Sequence, residues 1–107
     1  MTDYQKVAQM SELSPGESKL VMIGEERILL SNVDGNYFAI DETCPHAGGS
    51  LSEGLIDGIE VECPLHGSRF NLKTGGATAP PADERVNRYS VKLEEGYVLV
   101  GMEEDYS

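Results

Sequence analysis

The sequence predicts an all-β fold of antiparallel strands, and three observations support this prediction. Short segments rich in β-branched and alternating apolar residues recur roughly every 8 to 12 residues, as in β-sandwiches and barrels. Turn signals such as Asp34-Gly35 and Glu95-Gly96 separate these segments. No segment keeps a helical period beyond a turn or two, and no internal repeat or linker is visible.

The first half of the chain is predicted to contain an opening strand and three further strands. Residues 4–10 alternate loosely and suit the opening strand, and Ser14-Pro15-Gly16-Glu17 marks a turn because proline and glycine preset turn dihedral angles. The following strands are expected at 19–23, 27–33 and 37–40, joined by Gly24-Glu25-Glu26 and Asp34-Gly35-Asn36.

The second half is predicted to contain shorter strands between turns. Ile59, Val61 and Cys63 alternate with glutamates, so residues 59–63 suit a half-buried strand. Prolines in the extended segment 79–82 exclude a central strand there. The remaining elements are turns at 54–58 and 74–76, a short strand at 69–72, a final hairpin of 86–93 with 97–102, and a frayed tail at 103–107.

Length and charge restrict the possible functions. The 107 residues suit a single domain, 1–107, with its own core. The formal net charge of −11 excludes nucleic-acid binding through a basic surface; it serves either solubility or electrostatic steering toward a basic partner. The N-terminus shows no secretory signal, and no apolar stretch approaches the roughly 20 residues of a membrane helix.

Candidate metal ligands are concentrated in two short segments. The chain has only two cysteines and two histidines, and they form C-x-H, sixteen intervening residues, and C-x-x-H. Thiolate and imidazole suit iron–sulfur clusters, zinc or copper. The four candidate ligands are Cys44, His46, Cys63 and His66.

Two simpler interpretations of these residues remain open. The first is a Cys44–Cys63 disulfide with two surface histidines, and the second is a tetrahedral Cys₂His₂ zinc site. Zinc loops more often pair cysteine with cysteine and histidine with histidine. Here cysteine and histidine alternate, as a two-iron site with two kinds of ligand requires, so the spacing favours an iron–sulfur centre.

The sequence around the ligands sharpens this interpretation. A proline follows each cysteine, and small residues, Ala47-Gly48-Gly49 and Gly67-Ser68, follow the histidines. Small residues let main-chain N–H groups approach an anionic cluster closely. With these motifs the chain resembles, over nearly its full length, the Rieske-type ferredoxins, the small soluble electron carriers that serve oxygenases.

The resemblance implies a fold and a ligand arrangement. The family's fold consists of stacked antiparallel sheets with a small cluster-binding lobe made of two loops, here about residues 41–72. Cys44 and Cys63 would bind one iron as thiolates, and His46 and His66 the other as neutral imidazoles. Two ferric ions, two sulfides and two thiolates sum to zero charge, which makes the cluster easier to reduce than a four-cysteine one.

The residues around the ligands are expected to tune the reduction potential. Ser68 occupies the position from which a serine hydroxyl bonds a bridging sulfide in high-potential members, whereas Phe70 replaces their tyrosine and has no donor. Four carboxylates flank the ligands and disfavour added negative charge unless solvent screens them: Asp41, Glu42, Glu60 and Glu62. The expected potential lies in the lower part of the roughly −150 to +300 mV Rieske range. Arg69 could meet this acidic edge or face a partner.

The function implied by the resemblance is one-electron transfer without catalysis by the chain itself. The expected partners are a flavin-dependent reductase and a terminal, aromatic-ring-hydroxylating oxygenase, which dock transiently at the cluster tip of a cytoplasmic monomer. The extra cysteine pair of respiratory Rieske subunits is absent, which fits a reducing compartment. The alternatives are a small Rieske-like subunit of a nitrite reductase or another redox enzyme, and a redox-sensing module.

Overall fold

Two antiparallel β-sheets make up the fold, which confirms the predicted all-β class. The computed structural model describes residues 4–43, 49–64, 67–79 and 85–104. The strands are β1 Tyr4–Gln9, β2 Ser18–Ile23, β3 Glu26–Val33, β4 Asn36–Asp41, β5 Leu55–Asp57, β6 Glu60–Glu62, β7 Arg69–Asn71, β8 Ala77–Ala79, β9 Arg88–Glu94 and β10 Tyr97–Glu104. Within the described ranges the only helical segments are two single 3₁₀ turns, Met10–Glu12 and Leu51–Glu53.

The larger sheet has six strands in the order β1-β10-β9-β4-β3-β2. Its two edge strands, β1 and β2, contact each other, so the sheet curls around one apolar cluster. All six strands contribute side chains to this cluster; its fully buried members include Ile28, Leu30, Val98 and Val100. This cluster contains no described residue of the two segments that carry the candidate ligands, 43–50 and 63–68, which are called the first and second ligand loops.

Strand β3 explains how the two sheets stack. Its central residues are buried on both faces, so the strand carries a continuous apolar run instead of an alternating pattern. Ile28 and Leu30 point into the curled sheet, whereas Leu29 points toward the smaller sheet. Together with Ile40 of β4, Leu29 forms the floor on which the smaller sheet packs.

The hairpin between β3 and β4 shows how turn chemistry fixes register. Val33 pairs with Asn36, which leaves a two-residue turn of Asp34 and Gly35. Both have positive φ, 52° and 89°, as a type I′ turn requires. The sequence predicted this turn, although Asn36 belongs to the strand.

The smaller sheet has four strands in the order β5-β6-β7-β8. Val61 of β6 pairs with Phe70 of β7, and both are fully buried against the β3–β4 floor. Cys63 packs in the same apolar cluster, and so does Leu51 of the second 3₁₀ turn. The bases of the two ligand loops therefore rest on one shared core.

The structure differs from the sequence prediction at several strand boundaries. Strands β5 and β8 were not predicted, because three residues are too few to establish an alternating pattern. The last long hairpin begins at Arg88, since the N–H of Val86 donates to the carbonyl of Gly75 at 2.8 Å and so leaves the sheet ladder. Strand β10 continues to Glu104, which pairs with Tyr89, so the strand extends into the segment predicted to fray.

None of the helices in the described part of the chain is long and apolar enough to cross a bilayer.

Candidate metal centre

The first ligand loop begins and ends at residues that pair with each other. Strand β4 delivers the chain to Asp41, and Thr43 then forms an isolated antiparallel bridge with Ser50. The N–H of Leu51 donates to the Glu42 carbonyl at 2.9 Å, which closes the base further. Fully buried Leu51 fixes this base against the core.

The second ligand loop is closed by backbone hydrogen bonds at its base. Strand β6 ends at Glu62, and the N–H of Cys63 donates to the Ser68 carbonyl at 2.7 Å. The N–H of Gly67 donates back to the Cys63 carbonyl at 3.1 Å. Gly67 has φ 75°, a conformation that glycine adopts without steric cost. This tight turn places Cys63 and Ser68 side by side.

Two of the five predicted site residues lie in the described part of the chain. Cys63 is 1% exposed and Ser68 is fully buried. The other three, Cys44, His46 and His66, lie outside the described residues. Phe70 of β7, which has no hydrogen-bond donor, is fully buried. The structure therefore brings Cys63, Ser68 and Phe70 together at one end of the smaller sheet.

The donor set fits an iron–sulfur centre. Cys63, the candidate soft ligand just after β6, is kept from water by apolar neighbours such as Leu51 and Val61. The buried serine beside it offers a hydroxyl group inside the same shelter. Exclusion of water by an apolar shell is one way in which a protein sets the reduction potential of such a centre. The assignment of the four ligands stays a prediction.

Asp41 and Glu42 have hydrogen-bond partners within the protein that the sequence did not reveal. The Tyr89 hydroxyl donates to Asp41 Oδ1 at 2.7 Å, and the Asn87 N–H donates to Asp41 Oδ2 at 2.9 Å. The Glu42 side chain is 1% exposed, and its Oε1 accepts hydrogen bonds from the Ser52 hydroxyl at 2.7 Å and the Ser52 N–H at 3.2 Å. Solvent therefore does not screen Glu42. Both carboxylates accept hydrogen bonds from neutral groups of the protein.

Arg69 meets the acidic edge of the smaller sheet, which decides the alternative left open by the sequence. Its Nη1 donates to Asp57 Oδ2 at 3.1 Å and to Glu60 Oε1 at 3.3 Å, and its Nη2 donates to Glu62 Oε1 at 3.2 Å. These hydrogen bonds, first that of Asp57 and then those of Glu60 and Glu62, raise the pKa of the Arg69 guanidinium above its usual range. Its charge is therefore fixed at any physiological pH.

Sequence reasoning missed the partners because they are distant along the chain. Asn87 and Tyr89 reach Asp41 only because β9 pairs with β4, with Tyr89 opposite Ala39. Asp57 reaches Arg69 only because β5 and β7 flank β6 on the same sheet. A sequence signal existed for one contact. Glu62 and Arg69 lie directly before and directly after the second ligand loop, so they pair with each other across its base.

A family model gives the first comparison with known proteins. The model of the Rieske [2Fe-2S] domain matches residues 3–90. Among curated relatives, the ferredoxin component of biphenyl 2,3-dioxygenase from Rhodococcus jostii (strain RHA1) is 43% identical over 98 residues. That match covers 92% of this chain and 92% of the relative.

Solved structures give the same result for the fold. A chain from a complex of reduced oxygenase and oxidised ferredoxin in carbazole 1,9a-dioxygenase is 34% identical with a TM-score of 0.90, covering 95% of each chain. A putative NADH-dependent nitrite reductase small subunit from Mycobacterium tuberculosis has a TM-score of 0.85, covers 94% of this chain and 96% of its own, and is only 21% identical. This second likeness concerns the fold alone.

Proposed function

We propose, because this chain belongs to the Rieske [2Fe–2S] domain family, that Cys44 and Cys63 ligate one iron of a Rieske-type cluster and His46 and His66 the other. The family carries one such [2Fe–2S] cluster, and with it the chain carries out electron transfer instead of substrate chemistry. The ligand assignment follows the alternating motif spacing. The zinc and disulfide alternatives have no support from the family match.

The observation that carries the proposal is the closed turn that holds Cys63. This cysteine is fixed by the end of a strand, by two backbone hydrogen bonds and by the apolar cluster. Its sulfur is therefore held in position to bind iron. Bound there, the cluster supplies a site that accepts and releases one electron. The chain's own residues hold the ligands, exclude water around Cys63 and offer the Ser68 hydroxyl from a buried position.

The function is that of a one-electron carrier in an aromatic-ring-hydroxylating oxygenase system. The relatives are named as ferredoxin components of dioxygenases, and one related structure is titled as a complex of an oxygenase with a ferredoxin. By analogy, this chain takes electrons from a flavin-dependent reductase and passes them to a terminal oxygenase, docking transiently at the cluster tip. No residue of the chain is assigned a catalytic role.

The setting of this carrier completes the proposal. Residues 1–107 act as one Rieske domain, with the cluster-binding lobe at about 41–72, extended by the pairing of β8 with β7. The carrier works as a monomer in the cytoplasm, where a chain whose two cysteines are both cluster ligands needs no disulfide. Its charge of −11 favours fast association with partners that present basic surfaces.

Reconstitution with partner enzymes tests this function. We expect a flavoprotein reductase from an aromatic dioxygenase system and NADH to reduce the loaded protein anaerobically. A terminal oxygenase, added with its aromatic substrate and O₂, should then reoxidise it with product formation. Failure of both transfers, together with co-purification in a fixed ratio with a nitrite reductase large subunit, would favour the subunit alternative. A loaded protein that is reduced but exchanges electrons with neither enzyme would contradict the carrier role.

Replacing Ser68 with alanine tests the contribution of the buried hydroxyl to the cluster's potential. A hydrogen bond to a charged group contributes about 1.5 kcal/mol, and for a one-electron couple this corresponds to roughly 60 mV. We therefore expect the Ser68→Ala midpoint to fall by up to roughly this amount, because the lost bond stabilises the more negative, reduced cluster more than the oxidised one. Protein-film voltammetry measures it, with Ser18→Ala on edge strand β2 as the control. An unchanged Ser68→Ala midpoint with an intact spectrum would show that no such bond forms.

A further inference from the structure

The outer face of the smaller sheet carries a compact charged cluster beside the second ligand loop. Strand β6 alternates buried Val61 with partly exposed Glu60 and Glu62, and Arg69 on β7 is the pairing partner of Glu62. Asp57 on β5 pairs with Glu60 and completes the cluster. Glu62 precedes Cys63 and Arg69 follows Ser68, so both charges flank the closed turn.

Arg69 holds all three carboxylates of this cluster at once. The distances from its guanidinium nitrogens to the acceptor oxygens are 3.1, 3.3 and 3.2 Å. The Arg69 side chain is 33% exposed, so part of the side chain is covered by its neighbours. The planar guanidinium suits this arrangement because its N–H groups point in fixed directions, whereas a lysine ammonium acts as a point charge. Among the described residues no other cation pairs with these carboxylates.

The charge balance of the cluster depends on this one side chain. Three carboxylates and one guanidinium leave two negative charges, and loss of the guanidinium would leave three. A negative charge near an electron acceptor makes reduction less favourable. The sheet therefore places one compensating cation next to the loop that carries Cys63.

We propose that Arg69 is a positioning residue that ties down the carboxylates of Asp57, Glu60 and Glu62 and offsets their charge, which raises the reduction potential of the centre beside Cys63. The inference rests on the proposed cluster and deepens it.

Arg69→Gln is the direct test, measured as the midpoint of the loaded protein and not as turnover. We expect the equilibrium constant for its reduction by a fixed donor to fall roughly two- to tenfold, the range for one unit charge at the edge of a protein. The effect should shrink as ionic strength rises, because salt screens partly exposed charges. Lys92→Gln is the matched control: it removes a cation bound to Glu94 at 3.1 Å on β9, in the other sheet, and should leave the midpoint unchanged.

A double variant separates charge from mere structural support. Arg69→Gln with Glu60→Gln restores two negative charges, so the midpoint should return most of the way to that of the parent protein. Arg69→Lys keeps the positive charge but loses the planar set of N–H donors, so its midpoint should fall less than that of Arg69→Gln. If the double variant stays as low as Arg69→Gln, or if Arg69→Gln matches Lys92→Gln, the inference is wrong.

The test distinguishes failure of this inference from failure of the proposed cluster. If the parent protein shows no Rieske-type spectrum after iron and sulfide loading, the proposed function fails, and with it this inference. If the parent spectrum is normal and the Arg69 variants keep it with unshifted midpoints, only the role of Arg69 is refuted. A variant that loses its fold is recognised by circular dichroism. Glu60→Gln in the otherwise unchanged chain, which removes one carboxylate and should raise the midpoint, then decides the question, and an unchanged midpoint would refute the inference.

Discussion

Replacing Cys63 with serine should abolish the iron–sulfur centre. The cysteine is the one predicted ligand whose surroundings the structure describes, and a hard hydroxyl oxygen is a poor substitute for a soft thiolate. We expect the purified Cys63→Ser protein to be colourless, with at least a tenfold loss of bound iron and sulfide, since both irons share bridging sulfides. Iron and sulfide analysis and the visible spectrum measure this directly.

The same variant should also be less stable than the loaded parent protein. Binding energy for a metal centre contributes to the folding free energy of a small domain, so loss of the centre lowers thermal stability. Met22→Ser, which changes a half-exposed sulfur-containing side chain on edge strand β2, is the control and should retain full colour. A Cys63→Ser protein with a normal iron content would remove this residue from the ligand set.

Replacing Phe70 with alanine should produce the largest loss of stability among single core substitutions in the smaller sheet. Phe70 is fully buried and packs with Val61, Leu72 and Cys63. Truncation of a buried phenylalanine costs about 3–5 kcal/mol through lost transfer energy and the cavity left behind. Urea denaturation of the unloaded chain measures this difference in the free energy of unfolding.

A matched truncation on the surface controls for the loss of an aromatic or aliphatic group as such. Leu93 near the end of strand β9 is 45% exposed, so Leu93→Ala should change the free energy of unfolding by no more than about 0.5 kcal/mol. We also expect Phe70→Ala to load less cluster, because the shared core holds the bases of both ligand loops. Equal stabilities of the two variants would contradict this account of the core.

Much of the fold was predictable because its long strands obey local rules. Asp34-Gly35 and Glu95-Gly96 form two-residue turns with positive φ at both positions, as their sequence indicates. The alternation of Val61 and Cys63 with glutamates placed the strand that ends at the second loop. The ligand spacing identified the family independently of the fold.

The remaining features depend on contacts between distant parts of the chain. Strands β5 and β8 are three residues long and exist because β6 and β7 offer them edges to pair with. The burial of Glu42 follows from its hydrogen bonds to Ser52, ten residues away. The hydrogen bond from Arg69 to Asp57 joins residues twelve positions apart and depends on the order of the strands in the smaller sheet. Local sequence patterns carry no signal for such pairings.

The central claim is that two thiolates and two imidazoles of this chain bind one pair of irons. Electron paramagnetic resonance of the reduced protein, combined with electron–nuclear double resonance, tests it most directly. We predict an average g value below that of four-cysteine clusters and strong coupling to two distinct histidine nitrogens on one iron. A signal without nitrogen coupling, or a colourless protein that binds one zinc ion per chain, would contradict the account.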